Sequence, residues 1–189
     1  MPDLKLSAVT PLGDLRRDFA GTSLAEVSGK ALVSIAIPRG GEAAMAKAVS
    51  GAYGIKPPAI GSSAESRDGA ARFLGLQSDQ FFLLFDHSGD RAVEVVSGKL
   101  GDAGYYTDQS DSWAMLRLAG SQSLAALERI CPLDLDVTAF PPGAVGRTAM
   151  EHLGAIILRE AEDTFLLLSA RSSARSFLHA VETSLVNVS

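Results

Sequence analysis

Three histidines and one cysteine are the first side chains in this 189-residue sequence whose types suggest chemistry. His87, His152 and His179 lie far apart, and none has a second ligand at a metal-binding spacing, so a metal site would need all three to converge. Cys131 follows a predicted helix, precedes a proline and has no histidine beside it to lower the pKa of its thiol. We therefore predict surface or core-edge histidines and a small buried apolar cysteine.

A short acidic segment in the middle of the chain is the next candidate. Asp108 and Asp111 alternate with Ser110 and Ser112, and the side chains of Asp and Ser readily bond neighbouring backbone amides. A tight corner before a strand therefore explains this pair of carboxylates without catalysis. Trp113 follows directly, and its large flat ring suits either the core or an interface.

Two glycines and three arginines complete the candidates. Gly40 and Gly41 precede a predicted helix whose first N–H groups could bind a phosphate, but their spacing matches neither nucleotide-binding fingerprint and favours a simple turn. Arg117 alternates with apolar neighbours, which predicts a side chain facing away from the core, towards water or another chain. Arg171 and Arg175 are four residues apart, so they share a helical face that is either solvated or binds a partner carboxylate. We predict no catalytic, cofactor-binding or metal-binding residue in this chain.

Composition excludes several classes of protein. The sequence is 47% hydrophobic and 21% charged, which is typical of a folded domain, and its net charge of −5 is the wrong sign for binding nucleic acid. No apolar run approaches the ~20 residues that span a bilayer, and the N-terminus does not resemble a secretory signal. A single cysteine allows no intrachain disulfide. We expect a cytoplasmic protein without a nucleic-acid or membrane partner.

The elements that must position these residues form two similar series. Residues 1–22 have no clear hydrophobic periodicity, which predicts an irregular N-terminal arm that lies along a partner or stays loose. A first lobe over 23–104 has a predicted strand at 32–37, a helix at 42–50, strands at 71–76 and 80–86, and a helix at 90–100. A second lobe over 105–189 has a strand at 113–118, a helix at 122–130 capped by Ser121, strands at 144–150, 153–159 and 164–169, and a helix at 172–186.

Matching residues support an internal repeat. The tripeptide Asp-Gln-Phe at 79–81 and the tripeptide Asp-Thr-Phe at 163–165 both precede paired leucines, at an offset of 84 (from 79 to 163). The sequence therefore predicts an α+β fold made of two related small lobes, each with the order β-α-β-β-β-α, in which the second strand of the first lobe is not assigned to particular residues.

Several motifs in the second half resemble one family, the gamma subunit of heterotetrameric sarcosine oxidase. These motifs are Asp-Gln-Ser-Asp-Ser-Trp at 108–113, Leu-Arg-Leu-Ala-Gly at 116–120, Cys-Pro-Leu-Asp-Leu at 131–135, Phe-Pro-Pro-Gly at 140–143 and Ala-Arg-Ser at 174–176. In the first half, Thr-Pro-Leu at 10–12 is similar to the family's opening.

The resemblance implies a fold like the folate-binding part of the glycine-cleavage T-protein, and a structural role without catalysis. It also implies partners: alpha, beta and delta subunits that hold FAD, FMN, NAD, tetrahydrofolate and zinc, in a complex that demethylates sarcosine to glycine. The final helix lacks the tryptophan that the family has near Phe177. The small subunit of a related complex such as N-methylglutamate dehydrogenase is therefore an alternative. Two further alternatives, of other classes, are a free-standing folate-binding or aminomethyl-transfer domain and a regulatory subunit that senses a nucleotide at the Gly40-Gly41 helix start.

Overall fold

The computed structural model describes residues 9–189, which contain eleven strands and four α-helices. The strands are β1 Arg16–Phe19, β2 Thr22–Glu26, β3 Lys30–Ala36, β4 Ser63–Glu65, β5 Ala71–Gln77, β6 Gln80–Asp86, β7 Tyr105–Asp108, β8 Trp113–Gly120, β9 Val145–Met150, β10 Leu153–Ala161 and β11 Thr164–Ala170. The helices are α1 Glu42–Tyr53, α2 Ala92–Leu100, α3 Ser123–Glu128 and α4 Ala174–Val186. Short 3-10 turns lie at Gly101–Ala103, Ser110–Ser112 and Arg171–Ser173.

The strands form two antiparallel sheets that repeat one strand order. The five-stranded sheet has the order β4-β5-β6-β3-β7, and the six-stranded sheet has the order β9-β10-β11-β8-β2-β1. Each sheet thus contains the same four-strand core, and each core follows the chain order β-α-β-β-β-α. Even the irregularities repeat, because register shifts lie between Gly75 and Gln77 in β5 and between Arg159 and Ala161 in β10. The predicted α+β fold with two related lobes is confirmed.

The apolar strands are buried on both faces, which explains their unbroken hydrophobic runs. In β6, Phe81, Leu83 and Phe85 face helices α1 and α2, whereas Phe82 and Leu84 face the second sheet. The strands β10 and β11 alternate in the same way between helices α3 and α4 on one side and the first sheet on the other. The molecule is therefore a four-layer stack, with helices outside and the two sheets packed face to face.

The lobes exchange strands. β2 directly precedes β3, yet it pairs with β8 of the other sheet, with Thr22 opposite Gly120. β7 directly precedes β8, yet it pairs with β3, with Tyr105 opposite Ala36. Each sheet is thus completed by a strand from the segment that leads into the other lobe. The domain boundaries at 22/23 and 104/105 stay a prediction, but pairing between strands crosses both.

A second contact between the lobes has twofold character. Ser63 N donates to Gly143 O at 2.7 Å, and Val145 N donates to Gly61 O at 3.0 Å, on either side of a bridge between Ser62 and Ala144. The edges of the two sheets are therefore joined to each other at β4 and β9. Together with the strand exchange, this contact fixes the lobes to each other by backbone hydrogen bonds at opposite sides of the stack.

The N-terminal arm differs from the prediction only in part. Residues 9–15 have no regular secondary structure, as predicted, but the chain then forms β1, which pairs with β2, while residues 1–8 lie outside the described residues. The carboxylate of Glu26 accepts hydrogen bonds from Leu12 N at 2.9 Å and Asp14 N at 2.7 Å. Leu12 and Phe19 pack against the core of the second lobe. Isolated apolar residues and a distant carboxylate thus hold a segment that has no periodicity of its own.

The helix ends also show where the prediction fell short. α1 continues to Tyr53, three residues beyond the predicted end, and stops at Gly54, whose φ of 70° is the left-handed conformation that glycine favours. α3 is shorter than predicted, and Ser121 does not cap it. Instead, Gln122 N donates to Thr22 Oγ1 at 2.9 Å, so β2 supplies the missing acceptor. Among the described helices, none has the length and apolar character needed to cross a membrane.

Tyr53 offers a test of the packing under α1. Burial, with smaller contributions from the charges of Tyr106 and Asp68, raises the pKa of Tyr53 to about 12. The unfolded chain should lose this proton near pH 10 and the folded chain only near pH 12. The contribution of Tyr53 to the free energy of unfolding should therefore be constant below the lower value and fall by roughly 2 kcal/mol between the two.

The measurement is urea unfolding at several pH values for the wild type, Tyr53→Phe and Tyr105→Phe. Tyr53→Phe should reduce the loss of unfolding free energy between pH 10 and pH 12. Tyr105→Phe changes a side chain that is 70% exposed, so its pH dependence should follow that of the wild type. Equal alkaline loss in all three proteins would contradict the assignment.

Candidate functional site

The corner between β7 and β8 contains the acidic motif at 108–113. At this corner the chain passes from the five-stranded sheet to the six-stranded sheet. Ser110 N donates to Asp108 Oδ1 at 2.8 Å, and Leu32 N donates to Ser110 Oγ at 3.1 Å. Gln109 N donates to Leu32 O at 2.8 Å, which ties the corner to β3. The predicted bonding of Asp and Ser to nearby amides is confirmed. Asp111, by contrast, is fully exposed, and Arg171 Nη1 lies 3.6 Å from its Oδ1.

Trp113 lies on the core side of the corner. Its ring is half-buried and packs edge-to-face on Phe82, with ring centroids 6.0 Å apart, in the core between the sheets. Of the two roles that the sequence allowed, this structure therefore shows the core role. The indole Nε1 is buried and has no hydrogen-bond partner among the described residues.

The three predicted surface arginines have different environments. Arg117 is partly accessible to solvent, with 40% of its side chain exposed, and its Nε and Nη2 donate to the carboxylate of Glu160 at 2.6 and 2.9 Å; this hydrogen bonding raises the pKa of Arg117. Arg171 lies in the 3-10 turn before α4, where its Nη2 donates to Val9 O at 2.8 Å and so holds the arm. Arg175 is exposed in the first turn of α4 and has no ion pair within residues 9–189. Of these three arginines, only Arg175 makes no hydrogen bond or ion pair to the described residues, so its donors are available to a partner.

The histidines and glycines lie on separate elements. His87 follows β6, His152 lies in the β9–β10 turn, and His179 lies on the exposed side of α4. Within residues 9–189, no group of three or more His, Cys, Asp or Glu side chains is placed to hold a metal ion. Gly40 takes the left-handed conformation at φ 77°, and Gly41 N donates to Pro38 O at 2.8 Å. That bond uses one amide that a phosphate would need, so this glycine pair acts as a turn.

The residue that sequence reasoning missed is Arg159, at the end of β10. It is 2% exposed, and instead of a carboxylate it binds backbone carbonyls. Nη1 donates to Leu135 O at 3.0 Å and Phe140 O at 2.8 Å, while Nε and Nη2 donate to Glu162 O at 3.0 and 2.6 Å. Its guanidinium also lies 5.1 Å from the ring centroid of Phe165. Arg159 therefore organises the connection 131–143, which carries two of the family-like motifs.

The remaining pKa shifts have structural causes. Ser66 and Ala70 hydrogen bonds lower the pKa of Asp68, and Thr138 hydrogen bonds lower the pKa of Asp136. Both carboxylates cap their own turns. In their ionised form, both carboxylates accept hydrogen bonds from backbone amides of these turns and so stabilise them.

Cys131 is 6% exposed within the core of the second lobe, as predicted, and burial raises the pKa of its thiol. A buried thiol with a raised pKa should be almost unreactive. We expect 5,5′-dithiobis(2-nitrobenzoic acid) to modify native protein at pH 8 at least 100-fold more slowly than protein in guanidinium chloride, on the order of the protection that burial gives. Modification at similar rates in the two states would contradict the burial of this thiol.

Comparison with known proteins gives the fold a context. No protein-family model matches this chain, and no curated protein sequence is significantly similar to it. A chain of the heterotetrameric sarcosine oxidase from Corynebacterium sp. U-96, solved in complex with pyrrole 2-carboxylate, is similar in structure with a TM-score of 0.76 and 23% identity. The alignment covers 88% of this chain and 85% of that chain.

A second structure shares the fold. The glycine cleavage system aminomethyltransferase T from Bartonella henselae aligns with a TM-score of 0.60 and 16% identity, over 86% of this chain and 46% of that chain. The likeness to the T-protein fold that the motifs implied is confirmed. This chain corresponds to less than half of the aminomethyltransferase.

Proposed function

We propose that this chain is the non-catalytic gamma subunit of a heterotetrameric sarcosine oxidase. The observation that carries the proposal is the structural likeness to a chain of such an oxidase over 88% of this chain and 85% of the other. Because the two coverages are nearly equal, the similar chain has about the same length, so the likeness is to a whole small chain. The motifs at 108–113, 131–135 and 140–143 support the same assignment.

The proposed work of the subunit is to hold larger chains in a fixed arrangement. Strand exchange through β2 and β7, together with the backbone contact at Ser62 and Ala144, makes the two lobes one rigid unit. A rigid body lowers the cost of ordering a complex, because little freedom is lost on binding. The exposed Asp111 side of the corner and the neighbouring arm are the proposed contacts with the alpha, beta and delta subunits.

Under this proposal the chemistry belongs to the other subunits. Sarcosine would be oxidatively demethylated to glycine, with release of hydrogen peroxide and of methylene-tetrahydrofolate or formaldehyde. Those subunits would hold FAD, FMN, NAD, tetrahydrofolate and zinc, and this chain would hold the subunits in a fixed arrangement. The same reasoning applies to the small subunit of a related N-methyl amino acid dehydrogenase, which differs in the substrate of the complex.

A free-standing folate-binding domain is the second candidate, favoured by the shared fold with aminomethyltransferase T. Since the alignment spans 46% of that enzyme, an aminomethyl-transfer activity would need parts that have no counterpart here. Calorimetry with tetrahydrofolate on the isolated chain separates the candidates. The subunit proposal predicts no heat of binding, and tight binding would favour the folate domain.

The test of the proposal itself is omission of this chain. The flavin- and folate-binding subunits of the proposed complex are expressed with and without this chain, and assembly is measured by size-exclusion chromatography alongside sarcosine turnover. We expect a poorly assembled complex with reduced turnover when the chain is absent. Full assembly and normal turnover without it would refute the structural role.

A further inference from the structure

The two sheets of the described chain have four edges, and three of them are protected. The edges at β4 and β9 are joined to each other by the bridge between Ser62 and Ala144. β1, at the edge of the six-stranded sheet, has the sequence Arg-Arg-Asp-Phe, and charged side chains on an edge strand discourage further pairing. β7 is the remaining edge, and its sequence Tyr-Tyr-Thr-Asp contains no lysine, arginine or proline.

The outer side of β7 presents unpaired backbone groups. Gln109 N donates to Leu32 O at 2.8 Å, and these two residues continue the register in which β7 pairs with β3. Hydrogen-bonded pairs alternate along an antiparallel ladder, so the N–H and C=O groups of Tyr106 and Asp108 point outwards, away from β3. No hydrogen bond from another segment within residues 9–189 reaches these groups.

A cleft of about 550 Å³ accompanies this edge, between β7 and helix α2. Its lining includes Gly98 on α2, where an added Cβ would meet nothing within 4 Å, and Tyr105, whose side chain is 70% exposed. The edge is therefore accessible to an incoming strand, and an exposed aromatic ring is available for cross-strand contacts.

The charge around the cleft indicates the kind of strand. Glu94 and Asp102 are among its lining residues, and no lysine or arginine is. Asp102 is exposed and has no ion pair in the described part of the chain, while Glu94 lies 4.0 Å from Arg91, with both side chains largely exposed. An extended segment with basic side chains is therefore favoured. A second copy of this chain is disfavoured, because pairing two β7 edges would bring two acidic clefts together in chains with a net charge of −5.

We propose that β7 binds an extended basic segment of a partner protein as an additional strand of the five-stranded sheet. The backbone of that segment would pair with Tyr106 and Asp108, and its lysine or arginine side chains would lie near Glu94 and Asp102. This inference goes beyond the proposed function, because it concerns one edge of this chain and its test needs no other subunit.

The probe is the synthetic peptide Lys-Val-Lys-Val-Lys-Val with blocked ends, titrated into the full-length nitrogen-15-labelled chain at constant ionic strength. We expect saturable changes in the amide signals of Tyr106 and Asp108, with Kd on the order of millimolar for so short a peptide. The amide signals of Arg17 and Asp18, on the charged edge strand β1, should not change.

Two control peptides separate the contributions of charge and backbone. The peptide Glu-Val-Glu-Val-Glu-Val should bind about tenfold more weakly or less, because its carboxylates would face those of the cleft. The basic peptide with every backbone amide methylated should give no saturable change, since it has no N–H group to donate to β7.

A pair of double variants tests the cleft itself. Glu94→Gln combined with Asp102→Asn should weaken binding of the basic peptide by about threefold or more. Asp18→Asn combined with Glu128→Gln removes the same charge from exposed side chains outside the cleft and should leave binding unchanged.

Four results would overturn the proposal. They are the absence of a saturable change at Tyr106 and Asp108, binding of either control peptide as tight as that of the basic peptide, equal effects of the two double variants, and signals of these two residues that depend on the concentration of the free chain. The last result would show that β7 pairs with a second copy instead.

Discussion

Replacing Arg159 with methionine is expected to lower the free energy of unfolding by about 2–5 kcal/mol. The buried guanidinium donates to Leu135 O and Phe140 O, and methionine fills similar space without a donor. Each of these carbonyls would then be buried without a partner, at about 1–3 kcal/mol apiece. The measurement is urea unfolding followed by circular dichroism.

Arg175→Met is the control, because Arg175 is an exposed arginine with no ion pair in the described part of the chain. It should change the unfolding free energy by no more than about 0.5 kcal/mol. Arg159→Lys should fall between the two, since one ammonium cannot reproduce the planar fork that reaches both the connection and Glu162 O. An Arg159→Met protein as stable as Arg175→Met would show that the carbonyl contacts do not hold the connection.

Gly120→Ala is the second substitution with a large expected effect, about 2–4 kcal/mol of stability. Gly120 has a φ of 134°, and a Cβ there would lie 2.3 Å from Gly21 O and 2.6 Å from Thr22 Cα. Both clashes are with the backbone of β2 and the turn before it, so β2 would have to move away from β8. We expect the loss to appear in urea unfolding, with faster amide exchange along β2 than along β6.

Gly154→Ala is a matched control in β10, because its added Cβ would meet nothing within 4 Å and its backbone needs no left-handed φ. It should be neutral or slightly stabilising. If Gly120→Ala changed the unfolding free energy as little as Gly154→Ala, this result would contradict the close approach of β2 to β8.

The sequence predicts the lobes well because their signals are local. The short runs of apolar residues at 81–85 and 165–168 are typical of strands covered on both faces, and the glycines and prolines between them mark the turns. The offset of 84 between the two β-hairpins then predicts the repeat. Strand exchange was not predictable in the same way. β1 and β2 are short and half-exposed, and β8, the partner of β2 in the other lobe, lies almost 100 residues away in sequence, at Thr22 opposite Gly120.

The corner and Arg159 show the same contrast within the site. Asp108 accepts a hydrogen bond from Ser110 N only two residues away, so residue type and spacing were enough to predict it. The bond from Leu32 N to Ser110 Oγ spans 78 residues and was not predicted. Arg159 binds carbonyls 19 and 24 residues away in an irregular connection, which no local pattern reveals. One signal was present: Arg159 continues the alternation of Ala155 and Ile157, whose side chains face the core under α4. A charged residue on the inward side of a buried strand indicates a buried network.

Purification of the assembled complex through a tag on this chain is the most direct test of the subunit assignment. The chain is co-expressed with the large subunits of the proposed complex, and the eluate is measured for flavin absorbance, sarcosine turnover and subunit ratio. The assignment predicts that flavin and activity elute with the tagged chain at a constant ratio, while the tagged chain expressed alone brings down neither. Elution of the tagged chain free of flavin and of the large chains, with full sarcosine oxidase activity in the flow-through, would contradict it.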